Sequence, residues 1–447
     1  MRIVSAIAHT LTSGFKPVLG IYPWFIIKIQ LSYQLHLAYA KGQLPNLSHT
    51  KQQYTKTFKS KAAAIKNLIS LLKMAVKLWR THLKLQLSDY NLLAVGYTVH
   101  NKVFNDQNKS IYLQPHINDL KPKSAFMYYL DTTNNEVERQ YLKQLLNFFT
   151  LYYKLRLWCS GSKQQQLKGY GKDINKQLQT DIKQPIEGLE QFIAERIMEY
   201  KVHYRAYKYW LKKVKPQTVI GYCYYDNRIN ALFGAANSLG ITTIECQHSA
   251  ISNNHFAYAK WEMSHKLTPH FPAEFYVWTA ADKQIITQNF SAHNYTPTIT
   301  VKGIKHISYN KPTTKSVSTN NILICLQGIW MPKWLEDFIV EDKKYNWYIR
   351  LHPRYPNDKK QLKKMEALQK PNLFVQEANT KSLEELLQQS ETMVTCFSGT
   401  ALEAHAYNLK VLIYGEEGKN TYSEYISKGE FFYVDSVESI SYKLKTN

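Results

Sequence analysis

The chain is short of acid. Lysine and arginine number 57 against 34 aspartates and glutamates, a formal charge of +23, with a pI near 9.5. Such an excess favours anionic partners, whether nucleic acid, lipid headgroups or phosphorylated and acidic sugars, without choosing among them. Cysteine is scarce as well. Cys159, Cys223, Cys246, Cys325 and Cys396 are an odd number, widely spaced, with no C-x-x-C. This argues against a disulfide framework and against a zinc site; at least three lie in apolar runs and read as small core residues in a reducing compartment. Long apolar runs are also missing. The N-terminal stretch PVLGIYPWFIIKIQLSYQLHLAYA is broken by Lys28, Gln30 and His36, too polar for a membrane span and unlike a usual signal peptide. A cytoplasmic protein is expected, at most lying on the inner face of the cytoplasmic membrane. No fixed-period repeat is present, and no RNP, KH, zinc-finger or helix-turn-helix signature, so nucleic acid is not the expected partner in spite of the charge.

What is present is a packed globular chain. Hydrophobic residues make up 44% and charged residues 20% of 447, enough for two or three domains. Residues 1–87 form a basic helical extension. In KAAAIKNLISLLKMAVKLWRTHLKLQL, Ile65, Leu68, Ile69, Leu72, Val76, Trp79 and Leu83 recur at helical spacing, and Lys66, Lys73, Lys77, Arg80 and Lys84 recur on another face. The pattern suits contact with an anionic membrane through residues 61–87. It also suits a surface helix packed on its own domain with a solvated lysine face.

From Tyr90 short apolar runs alternate with helical tracts. YNLLAVGYTV, SAFMYYLDT, QTVIGYCYY, ITTIECQ, EFYVWTA and TITVKG read as strands of a first βα array over 88–305. Asp226 is placed to cap the helix NRINALFGAANSL and Gly240 to end it. Residues 306–320 are polar and contain Pro312, and read as a linker. A second array over 321–447 follows, with ILICLQG, NWYIRLHP, NLFVQEA, TMVTCF and KVLIYG as strands. The expected fold is α/β: two doubly wound, Rossmann-like parallel-sheet domains with a helical N-terminal extension. Ligands of such sheets bind outside the strands' carboxyl ends.

Two strand ends in the second array carry chemistry. Ser398-Gly399-Thr400 follows TMVTCF and opens a helix, so amide donors, two hydroxyls and the positive dipole end offer a phosphate cradle, with Gly399 allowing close approach. Glu403, a turn further in, could accept from ribose hydroxyls. The plain reading of the same turn is a helix cap. His352-Pro353 ends another strand; Pro353 keeps His352 extended, and Arg350 and Arg354 raise the local potential. Gln327-Gly328, after ILICL, would let the backbone reach a donor. In the first array Glu245, Gln247 and His248 end a strand; Glu245 or His248 is a candidate base toward an acceptor hydroxyl, and His248 and Gln247 could instead only fix the loop. Asp226 and Arg228 read as a helix start, and His100 and His116 as structural.

The His-Pro motif followed by a Ser-x-Thr turn at a helix start resembles the GT-B glycosyltransferases of bacterial capsule and surface polysaccharide biosynthesis, among them sialyl-, polysialyl- and capsule Kdo transferases. The resemblance covers roughly residues 215–415, about half the chain. It implies a metal-independent GT-B enzyme with no cofactor beyond its substrate, a nucleotide sugar, in which His352, Ser398 and Thr400 hold the donor phosphates. By resemblance alone, the group transferred is a sugar or a polyol phosphate, the donor leans toward a CMP-sugar and the acceptor toward a growing polysaccharide or lipid-linked glycan. No D-x-D stands at a strand end of the donor domain, which accords with a helix N-terminus and positive groups replacing a metal. The acidic tripeptide that supplies the base in the sialyltransferase-like members is missing upstream of the linker. A sugar-nucleotide epimerase, a non-catalytic relative and a basic nucleic-acid-binding protein are the alternatives.

Overall fold

The computed structural model describes residues 24–39, 46–84, 90–104, 107–132, 137–182, 185–253, 255, 257–258, 270–290, 295–305, 320–328, 330–352 and 359–446. Most of the linker, and Pro353 and Arg354, lie outside the described residues. The chain forms two compact units. One comprises Met1–Cys246, Phe256–Val277 and Ile286–Thr300; the other comprises Gln247–His255, Trp278–Ile285 and Val301–Asn447.

The first unit is built on β1 (Leu92–Gly96), β4 (Ala125–Tyr129), β5 (Thr218–Gly221), β6 (Thr242–Cys246), β7 (Glu274–Val277) and β8 (Thr298–Val301), in the order β4-β1-β5-β6-β7-β8. The pairs β1–β4, β1–β5, β5–β6 and β6–β7 are parallel. All five residues of β1 are buried, as a strand covered on both faces requires. A separate antiparallel hairpin, β2 (Asn101–Phe104) with β3 (Gln107–Ser110), was not expected from the sequence. Between β4 and β5 the chain makes three helices, Val137–Cys159, Gly161–Ile182 and Leu189–Val214, the last packing on both others and on Asn227–Asn237.

The second unit holds β9 (Asn321–Cys325), β10 (Asn346–Arg350), β11 (Leu373–Phe374), β12 (Thr392–Thr395), β13 (Lys410–Tyr414) and β14 (Phe432–Val434), ordered β11-β10-β9-β12-β13-β14 and parallel throughout. Its core gathers Ile322, Ile324, Trp347, Ile349, Val394 and Leu412 from the strands with Leu335, Ile339 and Ile440 from covering helices. This is an α/β plan of two six-stranded sheets with helices between their strands, as the alternation of the sequence led one to expect. NLFVQEA departs from expectation. Only Leu373–Phe374 pair as strand, and Val375–Thr380 turns helical with Val375 and Ala378 buried at i, i+3. A short apolar run does not by itself separate the two states.

The helix Trp24–Tyr39 buries Ile26, Ile27, Lys28, Ile29 and Leu31, so that over these residues it is covered on every side, and it packs on Leu189–Val214. Among the described residues no helix is long and apolar enough to cross a membrane. The segment after it is pinned to Glu195, a fully buried carboxylate that accepts from Tyr54 N at 2.9 Å and from Thr55 N at 2.9 Å. Where this strap meets the helix start, Gly188 has φ +73°, and a Cβ there would lie 2.3 Å from the Leu47 carbonyl carbon and 2.3 Å from Ser48 N. Gly188→Ala therefore combines a left-handed backbone, about 1–2 kcal/mol, with overpacking of about 1–3 kcal/mol. Gly240 also has φ +74° but open space around it. Denaturant midpoints should show Gly240→Ala losing only the first of these, and Gly188→Ala losing clearly more.

Candidate functional site

Counted within the second unit, the strand order is 3-2-1-4-5-6, which places the switch point between β9 and β12, where ligands of such sheets bind at the carboxyl ends. Thr395, buried at the end of β12, ties the two strands by donating its hydroxyl to Cys325 O at 2.7 Å. Beyond β9 the chain continues as Gln327-Gly328, and Gly328 has φ +82°, a turn that glycine accommodates without strain. The Gln327 side-chain oxygen is buried and has no hydrogen-bond partner among the described residues. Beyond β12 comes the Ser398-Gly399-Thr400 turn. Two sequence-selected motifs thus flank the switch point.

The turn is partly closed on itself. Thr400 Oγ1 donates to Ser398 Oγ at 2.8 Å, Ala401 N to Ser398 O at 3.0 Å and Leu402 N to Gly399 O at 3.1 Å. Thr400 N also reaches Ser398 Oγ at 3.4 Å, so the helix's first three amides are committed, and with only seven residues, Thr400–Ala406, its dipole is small. Tyr422, which the sequence reading overlooked, donates its buried hydroxyl to Ser398 O and holds the turn from below. The role expected for Gly399 changes. A Cβ at Gly399 would meet Ala250 N and Ser249 Cα, both at 3.3 Å, so the close approach belongs to the chain's own Ser249–Ala250 backbone.

That approach brings the segment carrying Gln247 and His248 against the Ser-Gly-Thr turn, inside one unit. Gln247 is buried and spent on the loop: its Oε1 accepts from Trp278 N at 2.6 Å and its Nε2 donates to Ser249 O at 3.0 Å. Asp282 lies beneath it. Burial pushes the Asp282 carboxyl up to about 6, against hydrogen bonds from Thr279 and Gln247 that favour the charged form. Thr279 and Asp282 cap each other across the first turn, Thr279 N giving to Oδ2 at 3.1 Å and Asp282 N to Thr279 Oγ1 at 3.1 Å. His248 itself is half-buried.

The remaining donor-side residues divide. His352 is half-buried one residue past Leu351, at the end of β10 next to β9, and Leu326 N still bonds Arg350 O at 2.9 Å there. It therefore shares the carboxyl edge with Gln327. Arg350 does not offer itself in the same way: its Nη1 donates to Ala378 O and Lys381 O, each at 2.7 Å, and ties β10 to the following helices. Glu403 is buried in the first turn of the helix, close enough for its charge to act on Cys325 and Tyr422. Burial pushes the Cys325 and Cys396 thiols up to about 12 each, so neither strand end presents a thiolate.

In the first unit Glu245 is buried in β6. Its Oε2 accepts from Tyr224 N at 3.0 Å, and Tyr258 Oη lies 3.5 Å from Oε1. Burial holds this carboxyl well above the usual carboxylate range in spite of those bonds. It braces the loop after β5 and is closed to an acceptor hydroxyl. Asp226 caps its helix as expected, accepting from Arg228 N at 2.9 Å, and also takes the Tyr97 hydroxyl at 2.6 Å. His100 Nδ1 contacts Tyr222 Oη at 3.0 Å, and His116 is buried against Tyr276. Tyr222 is another residue the sequence reading missed: a Cβ on Gly96 would lie 2.8 Å from its ring, a fit no local pattern encodes. Among the described residues no three His, Cys, Asp or Glu side chains gather as a metal site.

No protein-family model and no curated protein matches the chain. Solved structures resemble it. UDP-GlcNAc 2-epimerase of Methanocaldococcus jannaschii, solved with UDP-GlcNAc and UDP, aligns at 13% identity over 80% of this chain and 93% of its own, with a TM-score of 0.47. UDP-GlcNAc 2-epimerase of Neisseria meningitidis bound to UDP-GlcNAc aligns at 13% identity over 79% and 91%, with a TM-score of 0.45. The GtfA/B complex aligns at 15% identity over 56% and 54%, with a TM-score of 0.35.

Proposed function

We propose that this protein is an enzyme acting on a nucleotide-activated sugar, whose phosphates lie at the carboxyl edge of the C-terminal sheet between β9 and β12. The observation that carries the reading is the coincidence at one switch point of the left-handed Gly328 and the hydroxyls of Ser398 and Thr400; the unpartnered Gln327 oxygen beside them is an acceptor, suited to a hydroxyl of the sugar nucleotide and not to its phosphates. Ser398 supplies a donor to a phosphate oxygen, and Thr400, whose hydroxyl donates to Ser398 Oγ, orients it. His352 at the neighbouring strand end stabilises charge on the departing nucleotide. In glycosyl transfer to a polysaccharide or lipid-linked glycan, the base that takes the acceptor proton is His248 in preference to Glu245. The His248 segment lies along the Ser-Gly-Thr turn, and the Glu245 carboxyl is sealed.

Epimerisation of the nucleotide sugar is the second reading. The two proteins above from M. jannaschii and N. meningitidis are epimerases by name, closer to this alternative than to the transferase. It would use the same cradle and need no acceptor. The test has two stages. Thermal stabilisation by CMP, CDP, UMP, UDP, GDP and dTDP names the base; one nucleotide class should raise the melting temperature, and a flat response to all six overturns both readings. The matching nucleotide sugar is then followed by NMR. Conversion to its C2 epimer without acceptor identifies the epimerase, and nucleotide release only with added glycan identifies the transferase.

A further inference from the structure

The helix Lys61–Lys84 presents three faces. Ala63, Ala64, Asn67, Leu71, Met74, Ala75, Leu78 and Thr81 are buried or half-buried, on the side where the helix packs against Val137–Cys159. His82 Nδ1 contacts Tyr141 Oη at 2.9 Å and Lys213 Nζ donates to His82 O at 3.1 Å, fixing its far end. At ~100° per residue this packed stripe lies away from the apolar one picked out by the sequence. Ile65, Leu68, Ile69, Leu72, Val76, Trp79 and Leu83 are each between 48% and 64% exposed. Beside them Lys66, Lys73, Lys77 and Arg80 form an exposed basic stripe with no ion pair among the described residues, and the helix has no acidic residue. The helix is thus packed on its own domain, but through the face that the periodicity did not select.

A single exposed leucine is ordinary; seven large apolar side chains in one contiguous row are not. We infer that this row is a docking face for an anionic lipid bilayer, the apolar stripe entering the headgroup boundary while the basic stripe meets lipid phosphates. Charge decides between occupants. A second copy of the helix would bring lysine rows together, and a molecule of charge +23 opposes its own approach. An anionic surface with an apolar interior satisfies both stripes at once. Trp79, on the apolar stripe, suits the interface. The inference does not rest on the nucleotide-sugar reading.

The test uses the full chain and flotation with vesicles of phosphatidylcholine alone or with 30% phosphatidylglycerol. Wild type should partition at least tenfold better onto the anionic vesicles, and the preference should fall steeply with salt. Leu72→Ser/Val76→Ser/Trp79→Ser should lose binding to both. Lys66→Gln/Lys73→Gln/Lys77→Gln/Arg80→Gln should lose the anionic preference. Only exposed side chains change, so the melting temperature and any nucleotide stabilisation should stay at wild-type values, which separates failure here from failure of the function proposed above. Equal partition of wild type and the serine variant would overturn the inference. So would a wild-type dimer that the serine variant converts to monomer, since the row would then be covered by a second copy.

Discussion

Ser398→Ala/Thr400→Ala is expected to weaken nucleotide binding tenfold or more while leaving the fold close to wild-type stability. The two hydroxyls bond each other at 2.8 Å, and Ser398 is buried. Removing both together takes away donor and acceptor of that bond at once, a loss that is nearly neutral for folding, and leaves unmade the long 3.4 Å bond from the Thr400 amide to Ser398 Oγ and the Cys325 thiol's contact with Thr400. Removing Ser398 alone leaves the Thr400 hydroxyl without its acceptor and should cost about 1 kcal/mol. Binding responds differently. A hydroxyl that donates to a charged phosphate contributes about 1.5–3 kcal/mol, more than a decade in affinity for each bond lost. Isothermal titration with the nucleotide that stabilises the wild type, beside denaturant midpoints, reads both quantities. Unchanged affinity in the double variant would leave the turn a helix cap and move the phosphates elsewhere. Arg350→Ala is the informative contrast. Its side chain serves the Ala378 and Lys381 carbonyls, so it should cost stability before it costs affinity.

Most of the architecture was legible because it depends on local periodicity. Strands such as Asn321–Cys325 and Lys410–Tyr414 are short apolar runs with polar flanks, and Asp226 caps its helix through chemistry confined to three residues. The Ser-Gly-Thr turn was legible for the same reason. What the sequence did not carry is tertiary. The need for glycine at 399 is set by Ser249–Ala250, some 150 residues away, and the hydroxyl that holds Ser398 O comes from Tyr422. Arg350 was expected to raise the potential beside His352, but nothing local warned that its guanidinium would find two backbone carbonyls. The amphipathic helix shows the limit most plainly. Periodicity found its large apolar row, yet the side that packs is a second stripe at the same spacing, with Ala64, Leu71, Met74, Ala75 and Leu78, and nothing local says which of the two a neighbouring helix will cover.

Glu245 separates a candidate base from a structural carboxyl, and its two substitutions should behave oppositely. Glu245→Ala removes the acceptor of the Tyr224 amide and opens a cavity beside Tyr258, about 1–3 kcal/mol for the orphaned donor and more for the cavity. Glu245→Gln keeps an acceptor and the volume. Burial raises the native carboxyl well above its ordinary 4.5, so the native state holds the proton more tightly than the unfolded chain does. The stability that this proton linkage contributes is complete below the unfolded value, and it is lost as pH rises toward the native one. The glutamine variant has no such loss. Its melting temperature relative to wild type should therefore climb between pH 4.5 and neutrality, a slope that a solvent-exposed, ionised base would not give. If the brace is all that Glu245 provides, Glu245→Gln retains turnover on whichever nucleotide sugar the wild type accepts. Turnover abolished with nucleotide affinity intact would instead return Glu245 to the chemistry and take that role from His248.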